Sequence, residues 1–156
     1  MRCLNMITGK EIYNYLEDEG FSPDNYRVVK DALSSIEYES FKLNDFNINY
    51  EDRILHITTC FCEFFGKESP EVNKKEFYKM TSMMASHHKI GRITFNHQPL
   101  HITLDWSIYI LNKNDFKKVM LLFLHLIEVK ETWSQTVFDV IFNNASFEDL
   151  YMEMEI

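Results

Sequence analysis

The sequence predicts an α+β fold, in which an antiparallel sheet of about five strands lies beside flanking helices. Apolar residues recur at the helical period of about 3.6 near the start of the chain and again over residues 115–133. Residues 100–110 instead alternate strictly between apolar and polar side chains, which is the pattern of a half-buried strand. The short turns between the predicted strands favour antiparallel pairing, because parallel strands need long crossovers.

The first predicted element is a helix in two pieces. Thr8 can cap it, with Glu11 three residues later as a capping-box partner, and Gly20 ends it. Ser22 and Pro23 then restart a helix, since serine is a favoured cap and proline fits the first helical position. The apolar residues of this second piece, at helical spacing, are Val29, Ala32, Leu33 and Ile36.

Residues 41–65 are predicted to form three strands. Apolar and polar residues alternate before and after a turn at Asn44-Asp45. A second turn at Glu51-Asp52 precedes residues 54–65, which are rich in β-branched and aromatic residues. The alternating apolar set is Phe41, Leu43, Phe46, Ile48 and Tyr50.

The second half of the chain predicts a helix over residues 71–86, two strands, and a closing helix over residues 115–133 that Asn114 can cap. The turn between the two strands is Asn96-His97-Gln98-Pro99. We interpret residues 1–156 as a single domain, with residues 134–156 as a possible terminal extension whose end is acidic. The predicted order is therefore helix, three strands, helix, two strands, helix.

The net charge of −8 argues against nucleic acid and anionic membranes as partners, because both need basic surfaces. The longest apolar run, Val119–Leu124, is far shorter than a membrane span. Three cysteines, of which Cys60 and Cys62 are two residues apart, make a poor disulfide framework. The sequence therefore predicts a cytoplasmic protein that has a protein partner.

Two interpretations are open for His56, Cys60 and Cys62, which share one face of a predicted strand. They can be small residues on the core face, or they can bind a metal with His87 and His88 as further ligands. Cβ atoms two residues apart on a strand lie about 6–7 Å from each other, which is wide for two thiolates on one zinc ion. The four glycines form no phosphate-binding loop, and no nucleophile is placed beside His97. We therefore predict no catalysis and no cofactor.

Two features bear on protein binding. Phe77, Met80, Met83 and Met84 share one side of the middle helix, and form either core or an adaptable self-association surface. The asparagine-rich strands near Asn44, Asn47 and Asn49 form either an ordinary amphipathic sheet or an edge that accepts a strand from a partner.

The element order, the acidity, the alternating strand 100–110 and the closing helix DFKKVMLLFLHLIEVKETW resemble the class I chaperones of bacterial type III secretion systems, over residues 24–133. The resemblance implies a cytoplasmic homodimer that holds an extended segment of an effector protein. Implied dimer residues are Phe77, Met80 and Met84. Implied partner-binding residues are Val29, Leu33, Phe41, Phe46 and Ile48. The longer N-terminal helical region and the 23 residues after Trp133 depart from the family pattern.

A second hypothesis is a virus- or phage-encoded inhibitor that binds and blocks a host protein, with no need for a dimer. One variant is an all-helical bundle like the anti-apoptotic regulators of cell death, on the strength of Gly91-Arg92 and Trp133. Pro99 and the alternation over residues 100–110 argue against that bundle. A third hypothesis is an enzyme with a metal site.

Overall fold

A computed structural model describes residues 6–64, 73–87, 92–97 and 100–153. Within these ranges the predicted α+β class is confirmed, with six strands where about five were predicted. The helices are α1 (Gly9–Asp18), α2 (Lys74–His87), α3 (Phe116–Phe142) and α4 (Phe147–Glu153). The strands are β1 (Asp24–Lys30), β2 (Glu37–Leu43), β3 (Phe46–Glu51), β4 (Ile54–Phe64), β5 (Arg92–His97) and β6 (Leu100–Tyr109).

The six strands form one antiparallel sheet in the order β1-β2-β3-β4-β6-β5. Its register pairs Phe41 with Ile48 across β2 and β3, and Ile48 with Ile57 across β3 and β4. Because successive side chains point to opposite faces, this register gathers the apolar residues of three strands on one face. β1 lies at one end of the order, paired on one side with β2.

The chain forms two compact units. The first consists of Met1–Thr59 and Asp105–Leu124, and the second of Cys60–Leu104 and His125–Ile156. Each has its own buried apolar residues.

The core of the first unit lies on one face of β2, β3 and β4. Thr8 caps α1 as predicted, since its Oγ1 accepts a hydrogen bond from the Glu11 amide at 3.2 Å. The centroid of the Phe123 ring on α3 lies 5.0 Å from the centroid of the Phe46 ring and 5.5 Å from that of the Phe21 ring. Both ring pairs have edge-to-face geometry. The buried apolar residues of the strands and α1 are Ile12, Leu16, Phe41, Leu43, Phe46, Ile48, Tyr50, Leu55 and Ile57.

The second unit is built on α2, α4 and the second part of α3. Trp133 is fully buried, and its ring stacks on Phe147 with centroids 6.2 Å apart. The Phe147 amide donates to Glu76 Oε2 at 2.8 Å, and Lys79 Nζ lies 2.9 Å from Glu148 Oε1. These contacts hold the short α4 against α2.

The second piece of the predicted N-terminal helix is wrong, because residues 24–30 form strand β1. Most of these residues are exposed, and their burial does not alternate regularly along the strand. Leu33 is 98% exposed in the turn that follows. The β-branched pair Val28-Val29 suits a strand, and pairing with β2 supplies the backbone hydrogen bonds that a helix would have made internally.

The closing helix also differs from the prediction, since α3 continues nine residues beyond residue 133 and ends at Phe142. Asn114 is not a cap; Asn112 instead caps the short 3₁₀ turn that precedes α3. The Asn112 side chain accepts from the Asn114 amide at 2.9 Å, and Asp115 Oδ2 accepts from the Leu111 and Asn112 amides. A 3₁₀ turn at Lys113–Asp115 therefore precedes α3. In the described ranges, neither α3 nor any other helix is long and apolar enough to cross a bilayer.

Candidate partner-binding surface

The hairpin of β1 and β2 exposes several large apolar side chains at the end of the sheet. Val28 on β1 is 58% exposed, and Leu33 and Ile36 in the turn are 98% and 47% exposed. Val29 is half-buried beside Tyr38, its cross-strand partner. We call Val28, Val29, Leu33 and Ile36 the hairpin surface. Val28 and Val29 point to opposite faces of β1, and exposed apolar side chains on an edge hairpin favour contact with another protein.

The turn that carries Leu33 is held by its own hydrogen bonds. The Leu33 amide donates to Asp31 Oδ1, the Ser35 amide to the Asp31 carbonyl, and the Asp31 amide to the Ile36 carbonyl, each at 2.9 Å. The backbone bond from Leu33 is the main cause of the lowered pKa of Asp31, so the carboxylate that shapes the turn is ionised at neutral pH. Leu33 is thus presented on a preformed turn.

The predicted partner-binding residues divide into two groups. Val29 and Leu33 belong to the hairpin surface, and their role in binding stays a prediction. Phe41, Phe46 and Ile48 are buried in the core of the first unit, with at most 2% of each residue exposed. The Phe41 ring packs against Tyr13 of α1 and the Phe46 ring against Phe123 of α3. Burial leaves all three residues almost no surface for a partner in this conformation.

The predicted dimer residues Phe77, Met80 and Met84 are also fully buried within one chain. In this conformation they therefore serve as core. The outer side of α2 instead forms a groove of about 790 Å³ with α4, inside the second unit. Met83, Phe147, Tyr151 and Met152 give this groove an apolar lining.

An acidic cleft of about 650 Å³ lies beside β1 in the first unit. We use this name for the space lined by Val28, Tyr38 and Tyr50 together with Glu37, Glu39, Glu51, Asp52 and Arg53. The Tyr50 hydroxyl donates to the Ile7 carbonyl at 3.0 Å, which ties the segment before α1 to β3. Glu39 accepts hydrogen bonds from the Gly9 amide at 2.5 Å, the Lys10 amide at 3.1 Å and the Tyr26 hydroxyl.

Tyr26 and Tyr50, whose hydroxyls are both affected by the Glu39 carboxylate, predict a loss of stability in alkali. Burial is the first cause that raises the pKa of both Tyr26 and Tyr50 to about 12, and the negative charge of Glu39 adds to it. Tyrosine in the unfolded chain ionises near pH 10, so the stability held by the neutral hydroxyls is complete below about pH 10 and is lost as the pH rises through about 12. Denaturant titrations across this window are expected to show that fall. A Tyr26→Phe/Tyr50→Phe double variant with an equally steep fall would contradict it.

The candidate metal ligands are only partly within the described residues. His56 Nδ1 lies 2.7 Å from Ser107 Oγ, and Cys60 is half-buried. The side chains of Cys62, His87 and His88 lie outside the described residues, as does that of His97. Among the side chains that the structure describes, no group of three His, Cys, Asp or Glu residues could hold a metal ion.

Val28, Ile36 and the acidic residues of the cleft are not among the site residues predicted from the sequence. A local signal existed for the first two, since the β-branched pair Val28-Val29 precedes a polar turn that contains Asp31 and Ser34. No local signal existed for the cleft. Glu37 is fourteen residues from Glu51, and only the pairing of β2 with β3 brings them to the same end of the sheet.

Comparisons of the chain with models of protein families, with curated protein sequences and with solved structures find no match.

Proposed function

We propose that this chain is a protein-binding module that holds an extended segment of a partner protein along β1, as a secretion chaperone holds part of its effector. The observation that supports this most strongly is the hairpin surface on a strand at the end of the sheet. An edge strand can pair with an added strand through main-chain hydrogen bonds, and neighbouring apolar side chains then supply specificity.

The geometry of β1 limits where such a segment would pair. The register with β2 is interrupted between Asp24 and Arg27, and Asn25 has a φ of 55°. A bulge of this kind disfavours strand addition at that end. The regular part of β1 begins at Arg27 and leads directly to the turn that exposes Leu33. The partner segment is therefore expected to run along residues 27–30 and contact the turn.

The preformed turn favours binding because less conformational entropy is lost when a partner contacts it. Leu33 is held in place by the Asp31 hydrogen bonds before any partner arrives. Burying an exposed leucine contributes about 1.5–3 kcal/mol, which corresponds to a tenfold or greater gain in affinity. The homodimer implied by the resemblance stays a prediction, and it would use surfaces other than the buried Phe77, Met80 and Met84.

The test uses a displayed library of twelve-residue linear peptides, selected on the immobilised chain. Enriched peptides are expected to bind Val28→Lys and Leu33→Ser at least tenfold more weakly than the unchanged chain, measured by calorimetry. Lysine at Val28 copies a natural device that keeps edge strands unpaired. Both positions are exposed, so the thermal midpoint of each variant is expected to stay unchanged.

Leu121→Ser is the matched control, because Leu121 is 54% exposed on α3 and lies outside the hairpin surface. It should leave peptide affinity unchanged. The proposed function is rejected if no linear peptide is enriched, or if the enriched peptides bind both hairpin variants as tightly as the unchanged chain.

A further inference from the structure

A cleft with two basic side chains lies where the regular part of β1 begins. Its volume is about 320 Å³, and its wall includes Arg27 of β1 and Lys42 of β2. The polar side chains of Ser40 and Asn47 belong to the same wall. We call the space around these four residues the basic cleft. It borders the strand along which the proposed partner segment would pair.

The strand register places these four side chains on one face of the sheet. Arg27 pairs with Ser40 across β1 and β2, and Lys42 pairs with Asn47 across β2 and β3. Paired residues of neighbouring strands point to the same face, and so do residues two apart in one strand, such as Ser40 and Lys42. A strand added beside β1 would therefore place the residue opposite Arg27 on this face as well.

The positive charge of the basic cleft is not balanced within its wall. None of the described residues that line it carries a carboxylate. Asp24 is the cross-strand partner of Lys42, yet no ion pair between described residues involves Asp24, Arg27 or Lys42. A carboxylate placed in the cleft would offset the repulsion between its two cations. The field there favours an anion, although the whole chain has a net charge of −8.

The side chains of the cleft also suit a carboxylate by their hydrogen-bonding groups. Arg27 is exposed, and a guanidinium can donate two parallel hydrogen bonds to one carboxylate. The Lys42 ammonium, the Ser40 hydroxyl and the Asn47 amide are further donors on the same face. An acidic side chain in an added strand would therefore meet donors and positive charge together.

The other residues of the regular part of β1 define what flanks that position. Val28 and Val29 follow Arg27, and apolar cross-strand pairs stabilise a sheet as pairs of opposite charge do. Lys30 differs from Arg27, because Glu37 is its cross-strand partner and already places a negative charge directly across from it. The position opposite Arg27 is therefore the one at which charge would select a partner.

We propose that the basic cleft binds the carboxylate of an aspartate or glutamate in the extended segment that pairs with β1. This acidic residue lies opposite Arg27, and two apolar residues beside it lie opposite Val28 and Val29. In the antiparallel arrangement that this sheet has throughout, the segment reads apolar, apolar, acidic from its N-terminus to its C-terminus. This inference rests on the proposed function, and it names the class of extended segment that the module selects.

Parallel selections of the twelve-residue peptide library on the unchanged chain and on Arg27→Glu test the inference. Peptides selected on the unchanged chain are expected to be enriched in two apolar residues followed by aspartate or glutamate. Selection on Arg27→Glu should favour lysine or arginine at that same place, because the variant reverses the charge that the segment meets. Arg27 is exposed, so the thermal midpoint of the variant is expected to stay unchanged.

Calorimetry then measures the size of the preference. The peptide most enriched on the unchanged chain is synthesised with glutamate, glutamine or lysine at the acidic position. The glutamate peptide is expected to bind the unchanged chain about fivefold more tightly than the glutamine peptide, which is the upper range for an exposed ion pair. The lysine peptide should bind more weakly than both, and Arg27→Glu should reverse the order. Raising the salt concentration should shrink these differences.

Lys117→Glu is the matched control, because it makes the same change in net charge at an exposed position of α3 outside the basic cleft. It should leave the preference for the glutamate peptide unchanged. An equal loss of preference in Lys117→Glu and Arg27→Glu would mean that overall charge explains the preference, and would overturn the role of the cleft.

The remaining outcomes separate the two proposals. If the selected peptides show no preference for an acidic residue, or show the same preference on Arg27→Glu, the role of the basic cleft is overturned and the proposed function stands. If the unchanged chain enriches no linear peptide at all, both proposals fail together.

Discussion

Replacing Trp133 with alanine is expected to lower the free energy of unfolding by about 3–5 kcal/mol, the usual cost of deleting a large buried aromatic side chain. Trp133 is fully buried in the second unit and stacks on Phe147 with an angle of 21° between the ring planes. The cavity left behind would remove packing from α3 and α4 together, so the lost contacts add to the lost burial.

The measurement is urea denaturation followed by far-ultraviolet circular dichroism, which does not depend on tryptophan emission. Phe142→Ala is the control on the same helix, because Phe142 is 42% exposed, and it is expected to cost well under 2 kcal/mol. Equal losses for the two variants would contradict the burial of Trp133. A Phe147→Ala variant should reproduce part of the Trp133→Ala loss, since it removes the other half of the stack.

Replacing Glu39 with alanine is expected to lower the free energy of unfolding by about 2–4 kcal/mol, because several hydrogen-bond donors would lose a charged acceptor. Its carboxylate accepts from the amides of Gly9 and Lys10, the first two residues of α1, and from the Tyr26 hydroxyl. Amides in the first turn of a helix have no hydrogen-bond partner within the helix. The helix dipole also interacts favourably with a negative charge at this end. Glu39 therefore joins α1 to the sheet.

Thermal and urea denaturation of Glu39→Ala and Glu39→Gln provide the check. Glutamine keeps one oxygen acceptor without the charge, so its loss should be smaller than that of alanine. A Glu39→Ala variant as stable as the unchanged chain would contradict this account of how α1 is held.

The substitution Gly9→Ala is expected to destabilise the protein, although alanine has the higher helix propensity. A Cβ at this position would lie 2.9 Å from Glu39 Cβ, which is closer than real contacts allow. Alanine normally favours a helix by up to about 1 kcal/mol over glycine, yet Gly9→Ala should destabilise the first unit because α1 would have to move from β2. Asn14→Ala, on the exposed side of α1, should instead be neutral or stabilising.

The elements that were predicted correctly share one property: the sequence pattern that predicts each of them extends over only a few residues. The Thr8 cap is an interaction over three residues, and the alternation in β3 and β6 repeats every second residue. Ile102 and Leu104 are buried as that alternation predicts. Such patterns are fixed by backbone geometry and need no knowledge of the rest of the chain.

The elements that were predicted wrongly depended on distant partners. Residues 24–30 carry enough apolar residues to suggest a helix, and their strand conformation comes from pairing with β2. Met80 and Met84 on one side of α2 were predicted to form either core or a self-association surface. The fold of the second unit buries both side chains. A local pattern shows that a face is apolar, but it does not show what covers that face.

The sequence by itself therefore determined the α+β class, the apolar faces of β3 and β6, the first helix with its cap, and the net charge of −8. The tertiary structure alone decided that β1 is an edge strand, that Leu33 is exposed on a fixed turn, and that Glu37, Glu51 and Asp52 meet around one cleft. The reason is that periodicity and capping act over a few residues, whereas strand pairing and clefts join residues far apart in the chain.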